Sequence, residues 1–317
     1  MQTNTKPARG YFISWAPNPD PLYHRVWESP VGMPIDPPLA HVSIPVDGYM
    51  LSLDHLIGGR AKKGFKDLAE RQGLHKVLRY RGPIMLDSGG YQTRDRHPLD
   101  VLDLQARFKP DFAIHMDVLG NVKKTIRYAK LTKQYEDSVD FKIHYVIQGK
   151  TVADYIKCAR ALTHFGCERF ALGNLSRLSF LRKVDLIYQV IPAVKRIVGN
   201  CDIHLLGVSD PGLISSFRNI ITSFDSATGI RNATTLREVF FLSGDTLIYF
   251  KKPSRRPPEF RCRCPVCKVF DVFENEYGYP KGTGQRRRVR FLRAVHNTYV
   301  WRLAINRSLK RAYVVRI

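Results

Sequence analysis

Short apolar runs alternate with longer amphipathic segments over most of this chain. Each run is rich in β-branched or aromatic residues and ends in a small or polar residue. The segments between them carry apolar residues every three or four positions, the spacing of a helix that buries one face. We predict strands at His41–Pro45, Tyr49–Leu53, Ile84–Leu86, Phe112–Met116, Ile143–Ile147, Arg169–Leu172, Ile203–Gly207 and Ile221–Phe224, and helices at Pro98–Phe108, Val122–Tyr135, Val152–Phe165, Ser179–Val198 and Gly212–Ile220.

The alternation of strand and helix predicts an α/β fold with a parallel sheet. Eight strands favour a closed (β/α)₈ TIM barrel, and an open doubly wound sheet is the alternative. Reactive side chains recur where the predicted strands end, and a barrel would bring all those ends to one face. These residues are Asp87, Asp117, Gln148, Asn174, Ser209 and Asp225.

Both ends of the chain depart from this rhythm. Residues 1–40 are rich in proline and aromatic residues, with one strand-like run at Tyr11–Ala16, and we predict an N-terminal extension that packs on the barrel. We assign the barrel to residues 41–250. The last part of this range is a predicted hairpin of two strands, Val239–Leu242 and Thr246–Phe250. Residues 251–317 are predicted to form a separate C-terminal subdomain, for the reasons of charge and cysteine spacing given below.

Composition places few limits on fold but several on function. A chain of 317 residues with 44% hydrophobic content can bury a large core. It has no uninterrupted run of about 18 apolar residues, and Met1–Gly10 lacks the apolar stretch of a signal peptide. We therefore expect a cytoplasmic protein without membrane contact.

Positive charge is concentrated near the C-terminus. The formal net charge is +23, and residues 251–317 hold 18 Lys/Arg against 4 Asp/Glu, which gives +14. This composition favours a polyanion such as a nucleic acid as partner, and a solvated basic face is the alternative. The candidate contacts are Arg231, Arg286, Arg287, Arg288 and Arg290.

Three of the six cysteines lie within six residues of one another, at Cys262, Cys264 and Cys267. With His296, on a helix-like run, they supply three thiolates and an imidazole, the ligand set of a closed tetrahedral zinc site. Such a site leaves no position for substrate, so we expect a structural zinc ion. The alternative is three reduced cysteines and an unrelated histidine. His115 and His144 are expected to be satisfied core or rim residues.

The run from Pro83 to Gln92 predicts a buried strand that delivers Asp87 to its carboxyl end. Gly89 and Gly90 would let backbone N–H groups approach a ligand closely, and Tyr91 offers a flat face beside the acid. An ordinary turn is the alternative for this stretch taken alone.

Several short motifs follow one another along about three quarters of the chain. They are Gly73-Leu74-His75, Asp87-Ser88-Gly89-Gly90-Tyr91-Gln92, Asp117, Ile147-Gln148-Gly149, Gly173-Asn174-Leu175, Leu206-Gly207-Val208, Phe224-Asp225-Ser226 and the zinc ligands. In this order they resemble the tRNA-guanine transglycosylases, the base-exchange enzymes of queuosine and archaeosine biosynthesis, together with their DNA-modifying relatives.

The resemblance implies that Asp225 is the nucleophile at C1′ of a nucleotide and that Asp87 is the general acid and base. Asp225 as a helix N-cap and Asp117 as a turn residue are the plainer alternatives. A free 7-deazaguanine base would be the second substrate, with no organic cofactor. Asp117 and Gln148 would bind the purine edge, Gly173, Asn174 and Leu175 the 7-substituent, Tyr91 and Leu206 the two faces of the base, and Ser88, Gly89, Gly90 and Gly207 would complete the pocket.

The chain also departs from the family pattern. Thr93–Pro98 leads straight into a helix where the family usually has a long hairpin insertion, and Asn174 replaces a glycine. With the basic C-terminal region, this looks more like the DNA 7-deazaguanine transglycosylases of phages and bacterial genomic islands. A phage-encoded enzyme of this kind would act in the host cytoplasm. We therefore expect exchange of guanine for a preQ₀-like base in DNA, with tRNA as the alternative and a catalytically idle nucleic-acid-binding paralogue as the second. A homodimer is left open.

Overall fold

A computed structural model describes ten segments of the chain. They are residues 10–14, 44–57, 63–89, 96–175, 180–208, 210–244, 246–251, 256–279, 284–306 and 315–316.

Eight parallel strands form a closed barrel in chain order, so the predicted fold class is confirmed. The first strand pairs with both the second and the eighth, which closes the ring. The strands are β1 (Gly10–Ser14), β2 (Gly48–Ser52), β3 (Ile84–Asp87), β4 (Phe112–Ile114), β5 (Lys142–Ile147), β6 (Arg169–Leu172), β7 (Asp202–Leu205) and β8 (Ser223–Ser226).

The predicted first strand, His41–Pro45, was wrong. Residues 41–43 lie outside the described residues, and residues 44–47 form no strand. Strand β1 instead comes from the predicted N-terminal extension, where Phe12 is paired with Gly48 and with Asp225. Strand β1 overlaps the strand-like run predicted at Tyr11–Ala16, which was assigned to the extension and not counted as a barrel strand. A proline-rich stretch of more than 30 residues separates β1 from β2 along the chain and interrupts the regular spacing from which the barrel strands were predicted.

The barrel interior explains why the strands are apolar. Residues two apart on a strand share a face, and the inward positions of several strands meet in one buried cluster. Strands covered by helices on their outer face are buried on both sides, which accounts for continuous rather than alternating apolar runs. The cluster comprises Met50, Met85, Phe112, Ile114, Val146 and Ala171, with Leu206 packed against it.

Helices follow most of the strands, and the predicted helices were confirmed, with ends that differ by at most three residues. Capping fixes two of them: Asn121 Oδ1 accepts a hydrogen bond from Lys124 N–H at 3.0 Å, and Thr151 forms a capping box with Asp154. The helices are α1 (Leu53–Ile57), α2 (Lys63–Gln72), α3 (Leu74–Leu78), α4 (Pro98–Arg107), α5 (Val122–Gln134), α6 (Val152–His164), α7 (Phe180–Val198), α8 (Pro211–Phe217), α9 (Thr228–Arg231) and α10 (Gly284–Asn306). Helices α1 to α3 were not predicted.

The chain divides into two compact units. The first contains residues 1–16, 47–208 and 217–226, and the second contains residues 17–46, 209–216 and 227–317. In the second unit, β9 (Val239–Ser243) and β10 (Thr246–Phe250) form the predicted antiparallel hairpin, and β11 (Val315–Arg316) pairs with β10 in parallel. The hairpin therefore groups with the C-terminal region and not with the barrel. The limits proposed for the subdomain, residues 251–317, otherwise stay a prediction.

Within the described segments, no helix is both long enough and apolar enough to cross a membrane.

Candidate active site and metal centre

Three carboxylates lie at the carboxyl ends of barrel strands. Asp87 is the last residue of β3, Asp225 lies in β8, and Asp117 follows β4 by three residues. The carboxyl ends of parallel strands meet on one face of a barrel, where the connecting loops can form a site. The barrel thus brings together carboxylates that lie far apart in the sequence, as predicted.

Asp225 is buried, with 6% of its surface exposed, and one of its oxygens is held by two nitrogen donors. The backbone N–H of Gly207 donates to Asp225 Oδ1 at 2.7 Å, and His204 Nε2 lies 3.3 Å from the same oxygen. Gly207 has a φ of 65°, a left-handed conformation that glycine adopts without strain. A charged carboxylate can remain buried here because its hydrogen bonds replace those with water.

Asp87 is half-buried, and its pKa is raised to about 6. The first cause is burial, which disfavours the charged form, and the second is the negative charge of Asp225. The N–H of Gly89, which donates to Asp87 Oδ2 at 3.4 Å, opposes this shift. A carboxyl group with this pKa can both donate and accept a proton near neutral pH.

Asp117 has its pKa raised further, to about 7, first by burial and then by the charge of Asp87. The backbone at Gly173 faces this carboxyl group closely. A Cβ atom added to Gly173 would lie 2.8 Å from Val146 Cγ1 and 3.8 Å from Asp117 Oδ2. Only glycine therefore fits beside Asp117 without displacing the strand neighbour.

Gln148 is buried, and its amide is engaged within the protein. Its Nε2 donates to Val118 O and to Thr125 Oγ1, both at 2.6 Å, and its Oε1 accepts from Gly120 N–H at 2.9 Å. These bonds fix the loop that carries Asp117. A direct contact of Gln148 with a purine edge stays a prediction, and the structure gives this side chain a positioning role as well.

The segment Gly173-Asn174-Leu175 is fixed by hydrogen bonds and burial. Tyr155 Oη donates to Gly173 O at 2.7 Å, and Asn174, with a φ of 64°, donates from Nδ2 to Gly149 O at 2.8 Å. Leu175 is fully buried. The Asn174 side chain is thus hydrogen-bonded to the loop that follows β5.

The remaining predicted pocket residues are placed in part. Ser88 is buried directly after β3, and Leu206 is partly buried against the interior cluster. Gly90 and Tyr91 lie outside the described residues, so their predicted contacts stay predictions.

The contacts of the buried barrel histidines were the main feature that the sequence did not reveal. His204 contacts Asp225, but no role was predicted for it. His115 is buried as expected; its Nδ1 accepts from Val146 N–H at 2.8 Å, and burial lowers its pKa to about 4. His144 was expected to be satisfied, yet its two ring nitrogens have no hydrogen-bond partner among the described residues, and burial lowers its pKa well below the usual value.

The four predicted zinc ligands converge in the second unit. The Sγ atoms of Cys262, Cys264 and Cys267 lie 3.8, 3.4 and 3.2 Å from His296 Nδ1, and all four donor atoms lie within 4.8 Å of one another. Tetrahedral zinc with its usual bond lengths would separate sulfur from nitrogen by about 3.6 Å. His296 Nε2 donates to Phe240 O at 2.7 Å, which orients the ring toward the thiols. These residues can hold a structural zinc ion.

Two of the predicted nucleic-acid contacts, Arg286 and Arg290, form hydrogen bonds inside the second unit. Arg290 donates to both oxygens of Glu276, at 3.1 and 3.2 Å, and the unpredicted, fully buried Arg293 donates to the same carboxylate at 3.2 Å. Arg286 Nε donates to Tyr279 O at 2.6 Å. Arg290 is therefore a structural residue in the first place.

The other predicted contacts differ in exposure. Arg231, the last residue of α9, is exposed and Arg288 is partly buried, whereas the side chain of Arg287 lies outside the described part of the chain.

Comparisons with known proteins agree with the predicted resemblance. A family model described as queuine tRNA-ribosyltransferase matches residues 24–307. A tRNA-guanine(15) transglycosylase of Sulfolobus acidocaldarius is 25% identical over 269 residues, 76% of this chain and 50% of that protein. The Pyrococcus furiosus protein of the same description is 24% identical over 302 residues, 88% of this chain and 49% of its own length. A queuine tRNA-ribosyltransferase of Syntrophobacter fumaroxidans is 23% identical over 298 residues, which cover 78% of this chain and 77% of that protein.

The coverage differs between these relatives. The chain spans about half the length of the Sulfolobus and Pyrococcus proteins and about three quarters of the Syntrophobacter protein.

Proposed function

Since the chain belongs to the queuine tRNA-ribosyltransferase family, we propose that it is a guanine transglycosylase, which exchanges a guanine of a nucleic acid for a free 7-deazaguanine base. The observation that carries this proposal is the pair of carboxylates at the barrel face. One oxygen of Asp225 is held by two hydrogen-bond donors. Asp87 lies near enough to Asp225 for the negative charge of Asp225 to raise the pKa of Asp87. One group suits a nucleophile and the other a proton donor.

In the first displacement, a carboxylate oxygen of Asp225 forms a bond to C1′ of the target nucleotide. The bond between C1′ and N9 breaks, its electron pair leaves with guanine, and the protonated Asp87 gives its proton to the departing base. The product is a covalent glycosyl ester of Asp225. The raised pKa of Asp87 supports this assignment, because an ordinary aspartate carries no proton to donate near pH 7.

In the second displacement, N9 of the incoming 7-deazaguanine attacks C1′ as the ionised Asp87 accepts its N9 proton. The bond between C1′ and Asp225 breaks, and the carboxylate is restored. Two inversions retain the configuration at C1′, the stereochemical result of paired carboxylates in retaining glycosidases.

Recognition of the purine is assigned to Asp117 and the neighbouring backbone. The pKa of about 7 lets Asp117 act as donor or acceptor to the purine edge. Gly173 leaves room beside it, and Leu206 supplies one apolar wall. Flat apolar walls with a few convergent polar groups are typical of a site for a planar base.

The relatives favour tRNA as the nucleic acid. The three relatives described above carry tRNA in their names, so tRNA is the better-supported substrate and the preference for DNA expected from the sequence is not supported by them. DNA remains the second candidate. It is favoured by the short connection from the Tyr91 motif to α4, where the family usually has a long hairpin insertion, and by the charge of +14 over residues 251–317.

A base-exchange assay with labelled guanine tests the proposal. Unmodified tRNA, duplex DNA and single-stranded DNA are offered in parallel, with and without preQ₀ as competitor, and Asp225→Asn serves as the inactive control. We expect label to enter tRNA. If label entered DNA alone, the substrate would be DNA and not tRNA. If label entered none of the nucleic acids, the protein would be better explained as a catalytically idle protein that binds nucleic acid.

A further inference from the structure

We propose that His204 and Ser223 are positioning residues that hold Oδ1 of Asp225, so that Oδ2 attacks C1′ and Oδ1 becomes the carbonyl oxygen of the glycosyl ester. This inference rests on the proposed function. It assigns a task to two side chains for which no catalytic role was predicted from the sequence.

The three side chains form a chain of contacts inside the barrel. His204 on β7 is paired with Ser223 on β8, and its Nδ1 lies 2.8 Å from Ser223 Oγ. Its Nε2 lies 3.3 Å from Asp225 Oδ1. Ser223 and Asp225 are two residues apart on β8 and so share one face of the strand. His204 is fully buried, and Ser223 is 1% exposed.

Hydrogen-bond chemistry fixes the direction of this chain. An ionised carboxylate can only accept, so His204 Nε2 must carry the hydrogen that faces Asp225. In a neutral imidazole the other nitrogen is then an acceptor, and the Ser223 hydroxyl donates to Nδ1. Ser223 therefore selects the tautomer of His204 that can hold the nucleophile.

Both nitrogen donors converge on Oδ1. The N–H of Gly207 and Nε2–H of His204 engage lone pairs of this oxygen, which lowers its nucleophilicity and fixes the carboxylate plane. Attack through Oδ2 leaves these bonds intact. When the ester forms, Oδ1 changes from a charged acceptor to a neutral carbonyl oxygen, and the hydrogen bond from His204 becomes weaker.

That change gives His204 a specific kinetic effect. A donor that binds the carboxylate more strongly than the ester favours release of Asp225 as the leaving group in the second displacement. Removal of the donor should therefore shift the balance toward the covalent intermediate while turnover falls. We expect a shift of about tenfold, the usual difference between a hydrogen bond to a charged acceptor and one to a neutral acceptor.

The test compares His204→Leu, His204→Gln and Ser223→Ala with wild type. Unmodified tRNA and labelled guanine are supplied at saturation; turnover is measured, and the fraction of protein covalently bound to tRNA is read from a denaturing gel. We expect turnover to fall in His204→Leu. The fraction of protein covalently bound to tRNA, divided by the turnover rate, should rise by about tenfold. His204→Gln, whose amide can donate toward Asp225, should restore most of the turnover, and Ser223→Ala should change the ratio in the same direction but less.

His144→Leu is the matched control. His144 is also a fully buried histidine of the barrel, with its ring centroid 6.1 Å from that of His204. It should leave the ratio of adduct to turnover unchanged.

Equal ratios in wild type and folded His204→Leu, or the same change in His144→Leu, would overturn the proposal. If His204→Leu does not fold, the variants Ser223→Ala and His204→Gln test the proposal. An unchanged ratio of adduct to turnover in Ser223→Ala, together with no turnover in folded His204→Gln, would overturn the proposal as well. Absence of exchange in wild type would instead reject the proposed function.

Discussion

Asp87 and Asp225 are the same residue type in the same barrel, and their surroundings give them different tasks. Two N–H donors hold Asp225, whereas burial and a neighbouring negative charge raise the pKa of Asp87 to about 6. Environment, and not residue identity, therefore separates the proposed nucleophile from the proposed acid and base.

Asp87→Asn should stabilise the folded protein at high pH. Because its pKa is raised, the Asp87 carboxyl group binds a proton more tightly in the folded than in the unfolded protein. The contribution of this proton to the free energy of unfolding is complete below the unfolded pKa near 3.8, and it is lost as the pH rises through the folded pKa of about 6. An uncharged Asn removes the burden of a buried charge. We expect a higher melting temperature than wild type at pH 8, little difference near pH 4, and loss of base exchange.

The control for this experiment is Asp103→Asn, because Asp103 lies on the exposed face of α4. It should shift the melting temperature little at either pH. A gain from Asp87→Asn that is equal at pH 4 and pH 8 would contradict the raised pKa.

The sequence could predict the carboxylates but not their partners. Asp87, Asp117 and Asp225 stand out because each follows an apolar run that is typical of a strand. The contact of His204 with Asp225 depends on the pairing of β7 with β8, and one sequence does not reveal which residues face each other across two strands. The same holds for the bonds of Gln148 to Val118 and Thr125, which span more than 20 residues.

At the scale of elements, regular spacing predicted seven of the eight barrel strands. Helices with clear caps, such as α5 after Asn121 and α6 after Thr151, were predicted within one residue of their ends. The run at Tyr11–Ala16 was predicted as strand-like but was not placed in the barrel, because its pairing with β2 and β8 depends on closure of the ring and not on local pattern.

The zinc ligands join separate elements of the second unit, so their removal should unfold that unit. Cys264→Ser should lose the bound zinc and lower the melting temperature strongly, because a structural zinc site contributes about 10 kcal/mol or more, comparable with the whole stability of a domain. Metal analysis and thermal unfolding measure both effects. Cys201→Ser, in the barrel unit, is the control and should keep one zinc ion per chain.

A zinc-free protein that keeps the melting temperature of wild type would contradict the structural role. Loss of zinc with full exchange activity and an intact fold would contradict it equally.

At the scale of the whole molecule, a net charge of +23 should make nucleic-acid binding sensitive to salt. Affinity should fall by about 0.9 log unit per phosphate contact per decade of salt on duplex DNA, and by about 0.7 on single strands. Arg286→Gln with Arg288→Gln should lower the slope by about one for each phosphate that is no longer neutralised, and leave turnover at saturation nearly unchanged.

Lys195→Gln with Arg196→Gln removes the same charge from the last turn of α7 and serves as the control. A binding assay over a salt series distinguishes the two pairs. Equal reductions of the slope would show that net charge, and not the C-terminal arginines, sets the affinity. Arg290 is excluded from this test because it donates two bonds to the buried carboxylate of Glu276, and its loss would change stability together with binding. Arg286 donates instead to an uncharged backbone oxygen, Tyr279 O.

The most direct test of the whole account is to trap the glycosyl ester on Asp225. Wild-type protein is incubated with unmodified tRNA in the absence of free base, denatured, digested and analysed by mass spectrometry. We expect a ribosyl adduct on the peptide that contains Asp225, and neither adduct nor exchange with Asp225→Asn. Base exchange by wild type without an adduct, or substantial exchange by Asp225→Asn, would contradict the proposed double displacement.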